Sequence, residues 1–570
     1  MKSNSWFNRR NPVLSRLRIA IAGAFVIAAA AITFVAVLGG ANAVYAEDPP
    51  PLPVTHQHFN GLEGPITQDG DGLVSLSNFF NLPSPICSTA FSAAANVNTD
   101  CEGTAPHNET SIAVNPTNPL NRIGSANDYQ LRVSSGGTVY ETVFSRAHVT
   151  FDRGKTWATY PINYNGYTAT GDPAVAFDAT GRAYLATLGF VFSQGASGFT
   201  YPDVIVARST DGGKTWTTPT RIASGSGAQI SSGVFNDKEY IAAWGNGNAI
   251  VTWTEFNLGV LGSYISSPIF ASVTHDGGNT WSVPTEISGS APFCIGSQGG
   301  TKCDQDQFSA PVVAADGSIY VSFESTANTT NFRDQYLVVK VDPATGQRIA
   351  GPYKVARLVD GVTDYPINID GRQTYQDSEF RSNSAGNITA DPTNAAHLAV
   401  VWSDMRNSTL PAPNDPYAAV TNSDIIVSQS FNGGATWSKP TALTIARDQF
   451  QPWGAYDASG KLRIGYFDRS YNAANHKYGY TLATETAPGA LTFATAQLTT
   501  KLSDPTQGTR WFSGRTPNAA FPNPTTFLGD YSGIAVAPSS VVGLWTDMRL
   551  NTCFTVRCGA GEDAFFGAAP

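Results

Sequence analysis

Charge is scarce in this chain: Asp, Glu, Lys and Arg make up 14% of its 570 residues, and the acids outnumber the bases to leave a net charge of -9. No stripe of Lys and Arg runs through it, which excludes a partner held by its phosphate backbone, so no nucleic acid is expected. Methionine occurs 3 times and histidine 7 times, the histidines scattered. No Cys-x-x-Cys with nearby His is present, so a zinc site has no ligand set in the pattern. No helix-rich domain is evident either. What abounds is 54 Gly, 35 Pro, 31 Phe, 22 Tyr and 11 Trp, the composition of many short strands joined by tight turns.

The first residues read as an export signal. Arg9, Arg10, Arg16 and Arg18 precede an apolar run from Ile19 to Leu38, then the small residues of Ala41-Asn42-Ala43 and Val44-Tyr45-Ala46, with cleavage expected after Ala46. That run is also about the 20 residues that span a bilayer, so an uncleaved anchor is the alternative, and it is the one route by which a membrane would be a partner. Residues 1–46 are thus a signal or anchor, 47–105 a Pro-rich stalk with a possible ring-closing strand, and 106–570 the folded unit. The expected location is secreted or extracytoplasmic. Six cysteines in an exported chain pair by proximity as Cys87 with Cys101, Cys294 with Cys303 and Cys553 with Cys558.

One octapeptide recurs. Thr150-Phe-Asp152-Arg-Gly154-Lys-Thr156-Trp157 is followed by Ser209-Thr-Asp211-Gly-Gly213-Lys-Thr215-Trp216 and by Thr274-His-Asp276-Gly-Gly278-Asn-Thr280-Trp281. A fourth copy, Ser430-Phe-Asn432-Gly-Gly434-Ala-Thr436-Trp437, puts Asn in place of the acid. Each follows a strand-like run such as Val204–Ala207, so each is a hairpin turn: the Asp or Asn accepts backbone N–H bonds, Gly takes positive φ and Trp anchors the turn. Asp152, Asp211, Asp276 and Asn432 are therefore structural.

These octapeptides match the Asp-box, S/T-x-D-x-G-x-T-W, and the chain resembles the sialidase-like (Asp-box/BNR repeat) β-propeller superfamily. The resemblance implies a single all-β propeller of four-stranded blades, with the boxes on the face away from any active site. Inner strands start near Glu109, Asp172, Asp237, Gln307, Asn383, Gln449 and Asp530, roughly 60 to 80 residues apart, which favours seven blades over six. The last blade has room for three strands, and Gly72–Leu76 is the candidate to complete it beside Ala564–Phe566. Sialidases have six blades, and their Arg-Ile-Pro motif is absent here; Arg122-Ile123-Gly124 is the nearest string.

In a propeller the loop entering each inner strand and the loop leaving the second strand share one face. That mouth collects Glu109, Asp172, Asp237, Glu239, Glu379, Asp530 and others, and paired acids in a cleft are the material of glycoside hydrolysis. So many acids need metal, arginine or protons to offset them; no cofactor is expected, and structural calcium stays open although no recognisable loop specifies it. Arg406, Arg469 and Arg549 stand at matching positions of three repeats, each within two residues of an Asp. The resemblance gives them the binding of a substrate carboxylate, while their spacing suits internal ion pairs equally. On the same footing Tyr531 is the candidate nucleophile, Glu239 or Glu379 its base and Asp172 the acid/base. The expected function is an exported carbohydrate-active protein, a sialidase-like glycoside hydrolase acting on acidic or terminal sugars of a glycan or polysaccharide. The alternatives are a non-catalytic glycan- or protein-binding propeller and a uronate polysaccharide lyase using His107 and Tyr531.

Overall fold

Apolar segments of four to twelve residues, each led by polar residues, form the first strands of seven antiparallel sheets. They span His107–Val114, Ala169–Phe177, Gly233–Trp244, Asp306–Val313, Asn387–Ala390, Gln449–Tyr456 and Gly533–Ala537. The computed structural model describes residues 96–100, 106–133, 139–191, 200–228, 231–326, 334–361, 363–368, 371–409, 412–508, 525–554 and 557–569. In six sheets the chain meanders outward through four consecutive strands, and the third sheet adds a short strand, Tyr264–Ser266. Each first strand packs on that of the next sheet, and the seventh on the first. The protein is a seven-bladed β-propeller, with all seven expected blades in place. The fifth and seventh inner strands begin a few residues later than expected, at Asn387 and Gly533.

The seventh blade is completed from upstream, but not by Gly72–Leu76, which lies outside the described residues. Asn96–Asn98 takes that edge, with Asn96, Val97 and Asn98 opposite Gly567, Phe566 and Phe565. Side-chain hydrogen bonds hold this strand where apolar residues are few. The Asn96 amide donates to Leu498 O (2.8 Å) and its oxygen accepts from Thr500 N (2.8 Å), tying the seventh blade to the sixth. Residues 1–95, which hold the expected signal or anchor and most of the expected 47–105 stalk, lie outside the described residues. Among the described residues no helix is long and apolar enough to cross a membrane.

The four octapeptides join third to fourth strands, and strand alternation puts them on the face opposite the start of the inner strands. In the first, Asp152 Oδ1 accepts from Lys155 N and Thr156 N (both 2.9 Å), and Oδ2 from the Thr156 hydroxyl (2.6 Å). Thr150 Oγ1 accepts from Gly154 N (2.9 Å) and Trp157 Nε1 donates to Gly154 O (3.1 Å). Asp211 and Asp276 accept the same bonds in their turns, while in the fourth the Asn432 oxygen accepts from Thr436 N (2.9 Å) and its amide donates to the Thr436 hydroxyl (2.8 Å). The hydrogen bonds to Asp276 lower its pKa to about 2.

Cys294 and Cys303 form a disulfide beneath the third blade. Cys553 and Cys558 stand opposite each other in the register of a two-stranded hairpin. The side chains of that pair, and the expected Cys87–Cys101 bridge, lie outside what is described.

Candidate functional site: a carboxyl-rich axial hub

Five inner strands break register near their starts, between Asn108 and Ser111, Gly171 and Ala174, Asp237 and Tyr240, Gln307 and Ala310, and Phe450 and Trp453. Inside each break one residue has positive φ: Glu109 (55°), Asp172 (57°), Lys238 (52°), Phe308 (56°) and Gln451 (47°). Such a conformation is costly for a residue with a Cβ. Its recurrence at equivalent points marks a bulge that re-aims a side chain off the pleat. The result is a hub drawn from several blades.

Lys238 is its centre. Its Nζ lies 2.8 Å from Glu109 Oε1, 2.8 Å from Asp172 Oδ2 and 2.8 Å from Asp530 Oδ2. Arg381 Nε donates to Asp530 Oδ1 (2.8 Å), and its Nη2 to Oδ2. Asn127 bridges two acids, donating to Glu109 Oε2 (2.6 Å) and accepting from Asp172 N (2.8 Å). Gly529, at φ +89°, passes so close that a Cβ there would meet Glu109 N at 2.6 Å, so this approach requires glycine.

Five carboxyl groups share this field with two cations. Burial, then the Asp172 charge, pushes Glu109 and Glu239 well above the ordinary glutamate value. Burial also raises Asp237, to about 7, despite Lys238. In Asp172 burial is outweighed by Lys238 and by hydrogen bonds from Glu109 and Lys238, and in Asp530 by Arg381 and Lys238, so both sit below the ordinary aspartate value. Three acids of the hub are thus pushed toward the protonated form and two toward the ionised form, the latter facing two cations. Neutral acids beside ionised ones are the arrangement that separates acid from base among like groups.

Glu239 differs from the rest. It is 2% exposed and neither carboxyl oxygen has a hydrogen-bond partner. It lines an axial cavity of about 30 Å³ with Tyr240, Phe308, Gln451, Trp453 and Tyr531. That volume suits about two waters, not a sugar ring. The Tyr240 and Trp453 rings pack with centroids 4.6 Å apart on one side.

Of the expected catalytic set, Asp172, Glu239 and Tyr531 come together here. Glu379 does not: it belongs to a separate polar patch, its carbonyl accepting from Asn368 Nδ2 (2.6 Å) and its carboxyl group beside the Tyr417 phenol. Protonation also runs against the expected roles. Burial and the charges of Asp172, Glu109 and Glu239 push Tyr531 well above the usual phenol range, the reverse of an activated nucleophile. Burial and the Asp172 charge push Glu239, expected as base, toward the protonated form, whereas Lys238 holds Asp172 toward the ionised form.

The three arginines are engaged within the protein rather than presented to a ligand. Arg406 binds Asp404 through Nε (2.8 Å) and Nη2 (2.6 Å), with Trp402 Nε1 donating to the same carboxylate (2.9 Å). Arg549, Asp547 and Trp545 repeat this at 2.9, 2.6 and 2.9 Å. Trp-x-Asp-Met-Arg is thus a rivet at the end of a second strand, its planar fork matched to one carboxylate. Arg469 is fully buried, donating to Gln376 O (3.0 Å), Asn475 O (2.8 Å) and Ser378 Oγ (2.5 Å). His107, the base of the lyase alternative, is buried with its Nε2 2.9 Å from Asp128.

Lys238 and Arg381 were not found from sequence. The available signal was the lone lysine in Asp237-Lys238-Glu239 at a mouth otherwise made of acids. Arg381 lies in the connection before the fifth inner strand, where no repeat marks it.

No protein-family model matches the chain, and no curated protein does. Among solved structures it is similar to a protein of unknown function from Dyadobacter fermentans, at 11% identity and a TM-score of 0.42, over 83% of this chain and 97% of that one. It is also similar to an α-L-arabinanase of Penicillium chrysogenum, solved with arabinobiose (13%, TM-score 0.40, 82% and 97% covered). A third is the NanB sialidase of Streptococcus pneumoniae (10%, TM-score 0.39, 79% and 83% covered). Identities this low assign no substrate or reaction.

Proposed function

We propose that the protein is an exported carbohydrate-active propeller, a glycoside hydrolase of sialidase-like type whose proton transfers are run by the hub. The observation that supports it is Glu239, a proton-holding carboxyl group without a hydrogen-bond partner, beside the ionised Asp172. In this reading Glu239 protonates the departing glycosidic oxygen and Asp172 supplies negative charge to the oxocarbenium-like state. Tyr531, held protonated, is a hydrogen-bond donor here, its hydroxyl lying 3.4 Å from Pro173 O. The substrate is a glycan with acidic or terminal sugars.

A non-catalytic recognition propeller is the second reading. The small cavity and the closure of Lys238 by three carboxyl groups favour it, since both leave the hub shut. The test incubates the full secreted chain with sialosides and uronate polysaccharides, reading free sialic acid, reducing ends and ultraviolet absorbance. Hydrolysis that falls about 10²- to 10⁴-fold in Glu239→Gln and Asp172→Asn, with the fold intact, is the expected result. An unsaturated, ultraviolet-absorbing product would mean elimination instead. Turnover of nothing, with glycan binding retained in both variants, would leave the recognition reading.

A further inference from the structure

The bulges give five inner strands a common count along the propeller axis. Two residues beyond the positive-φ position stand Ser111, Ala174, Tyr240, Ala310 and Trp453, so this level carries three small side chains and two large ones. The two large rings meet, with centroids 4.6 Å apart and planes inclined by 34°. Tyr240 belongs to the third blade and Trp453 to the sixth. These blades are not neighbours in a ring of seven, so the contact crosses the axis. The Tyr240 phenol interacts with the Ser111 hydroxyl of the first blade, which braces the pair from a third side.

The two sides of this ring pair differ. Two residues further toward the box face, the same count gives Ala113, Ala176, Ala242, Val312 and Ala455, all short and all partly exposed. Neighbouring blades flank these strands and second strands cover their outer edges, so solvent reaches those residues along the axis. Toward the mouth lies the cavity of about 30 Å³ with Glu239, 2% exposed and without a hydrogen-bond partner on either carboxyl oxygen. The axis is thus wet up to the rings and nearly dry beyond them.

We propose that Tyr240 and Trp453 are positioning residues of the hub, a plug across the axis that keeps water entering from the box face away from the Glu239 carboxyl group. The inference rests on the reading of Glu239 as the proton donor. A carboxyl group cut off from water loses the solvation that favours its ionised form. Around Glu239, Asp172 and Asp237 oppose ionisation and Lys238 favours it, while Asp530 lines the same cavity and the Tyr531 and Tyr164 phenols face it. Burial exceeds each of these charges in its effect on Glu239, so water access is what the plug controls.

The test uses infrared spectra of the full chain, each protein minus its Glu239→Gln counterpart, to isolate the Glu239 C=O band. Rapid transfer into deuterium oxide times the deuterium shift of that band, and a pH titration gives its midpoint. In Trp453→Ala and in Tyr240→Ala the shift is expected about tenfold faster than in the wild type, with the midpoint about 1 pH unit lower. Trp453→Phe, which keeps a ring on the axis, retains the wild-type exchange rate and midpoint. Each Ala variant opens the axis from one side, so a fold lost in one leaves the other to decide. A folded Ala variant with wild-type exchange and midpoint overturns the plug and leaves Glu239 as the acid, whereas a wild type without the band overturns both. Loss of the fold in both Ala variants also overturns the proposal, since the rings would then be a core contact.

Discussion

The two faces of the propeller use aspartate in opposite ways. On the box face each acid is satisfied inside eight residues of sequence: Asp152, Asp211 and Asp276 accept from backbone and side-chain donors of their own turns, and those bonds hold their pKa values down. At the mouth, Glu109, Asp172 and Asp530 come from three blades and are gathered by Lys238 from a fourth, with burial pushing against ionisation. Local closure yields a rivet that is complete once the turn forms. Closure across the ring yields groups whose protonation depends on the whole fold, and perturbed groups of that kind collect where chemistry is done.

Removing the hub's centre is the strongest way to break this contrast. Lys238→Met leaves three buried acids facing one another with Arg381 alone, and should cost about 3–5 kcal/mol, read from the denaturant midpoint at neutral pH. A cost below about 1 kcal/mol would mean that the hub is not a buried ion cluster. A smaller effect sharpens the contrast through pH. Asp237 rises from 3.8 to about 7 on folding, so the native state holds its proton longer. Its stabilisation is complete below pH 3.8 and is lost as the pH climbs through about 7. Asp276 falls from 3.8 to about 2, so its stabilisation is present above pH 3.8 and is lost as the pH drops through about 2. Asp237→Asn should therefore flatten the decline between pH 4 and 7 and gain about 1 kcal/mol at pH 8, a modest figure because the side chain is only partly buried and solvent screens it. An unchanged slope would place the proton elsewhere.

The same local-versus-ring distinction explains what the sequence made legible. The boxes could be read because spacing fixes their hydrogen bonds, and seven polar-led apolar runs revealed seven blades. The Trp402-Asp404-Arg406 and Trp545-Asp547-Arg549 repeats were visible too, but spacing alone left two roles open, and the bidentate pairs show what each arginine holds. The closing strand at Asn96–Asn98 escaped because asparagine side chains fix it rather than an apolar pattern. Lys238 and Arg381 escaped because their partners stand far away in sequence, Lys238 129 residues from Glu109 and Arg381 149 residues from Asp530. Glu239 was singled out by position, yet its protonation follows from burial and the Asp172 charge, which appear only once the blades close.

The central claim is that the hub stores protons on carboxyl groups at neutral pH, Glu239 among them. Infrared difference spectroscopy of the wild type against Glu239→Gln at pH 7 tests it directly. The account predicts a protonated-carboxyl C=O band in the wild type that is missing in the variant and persists until well above the ordinary glutamate value. A difference spectrum with only ionised carboxylate bands would contradict it, and would remove the acid on which the proposed hydrolysis depends.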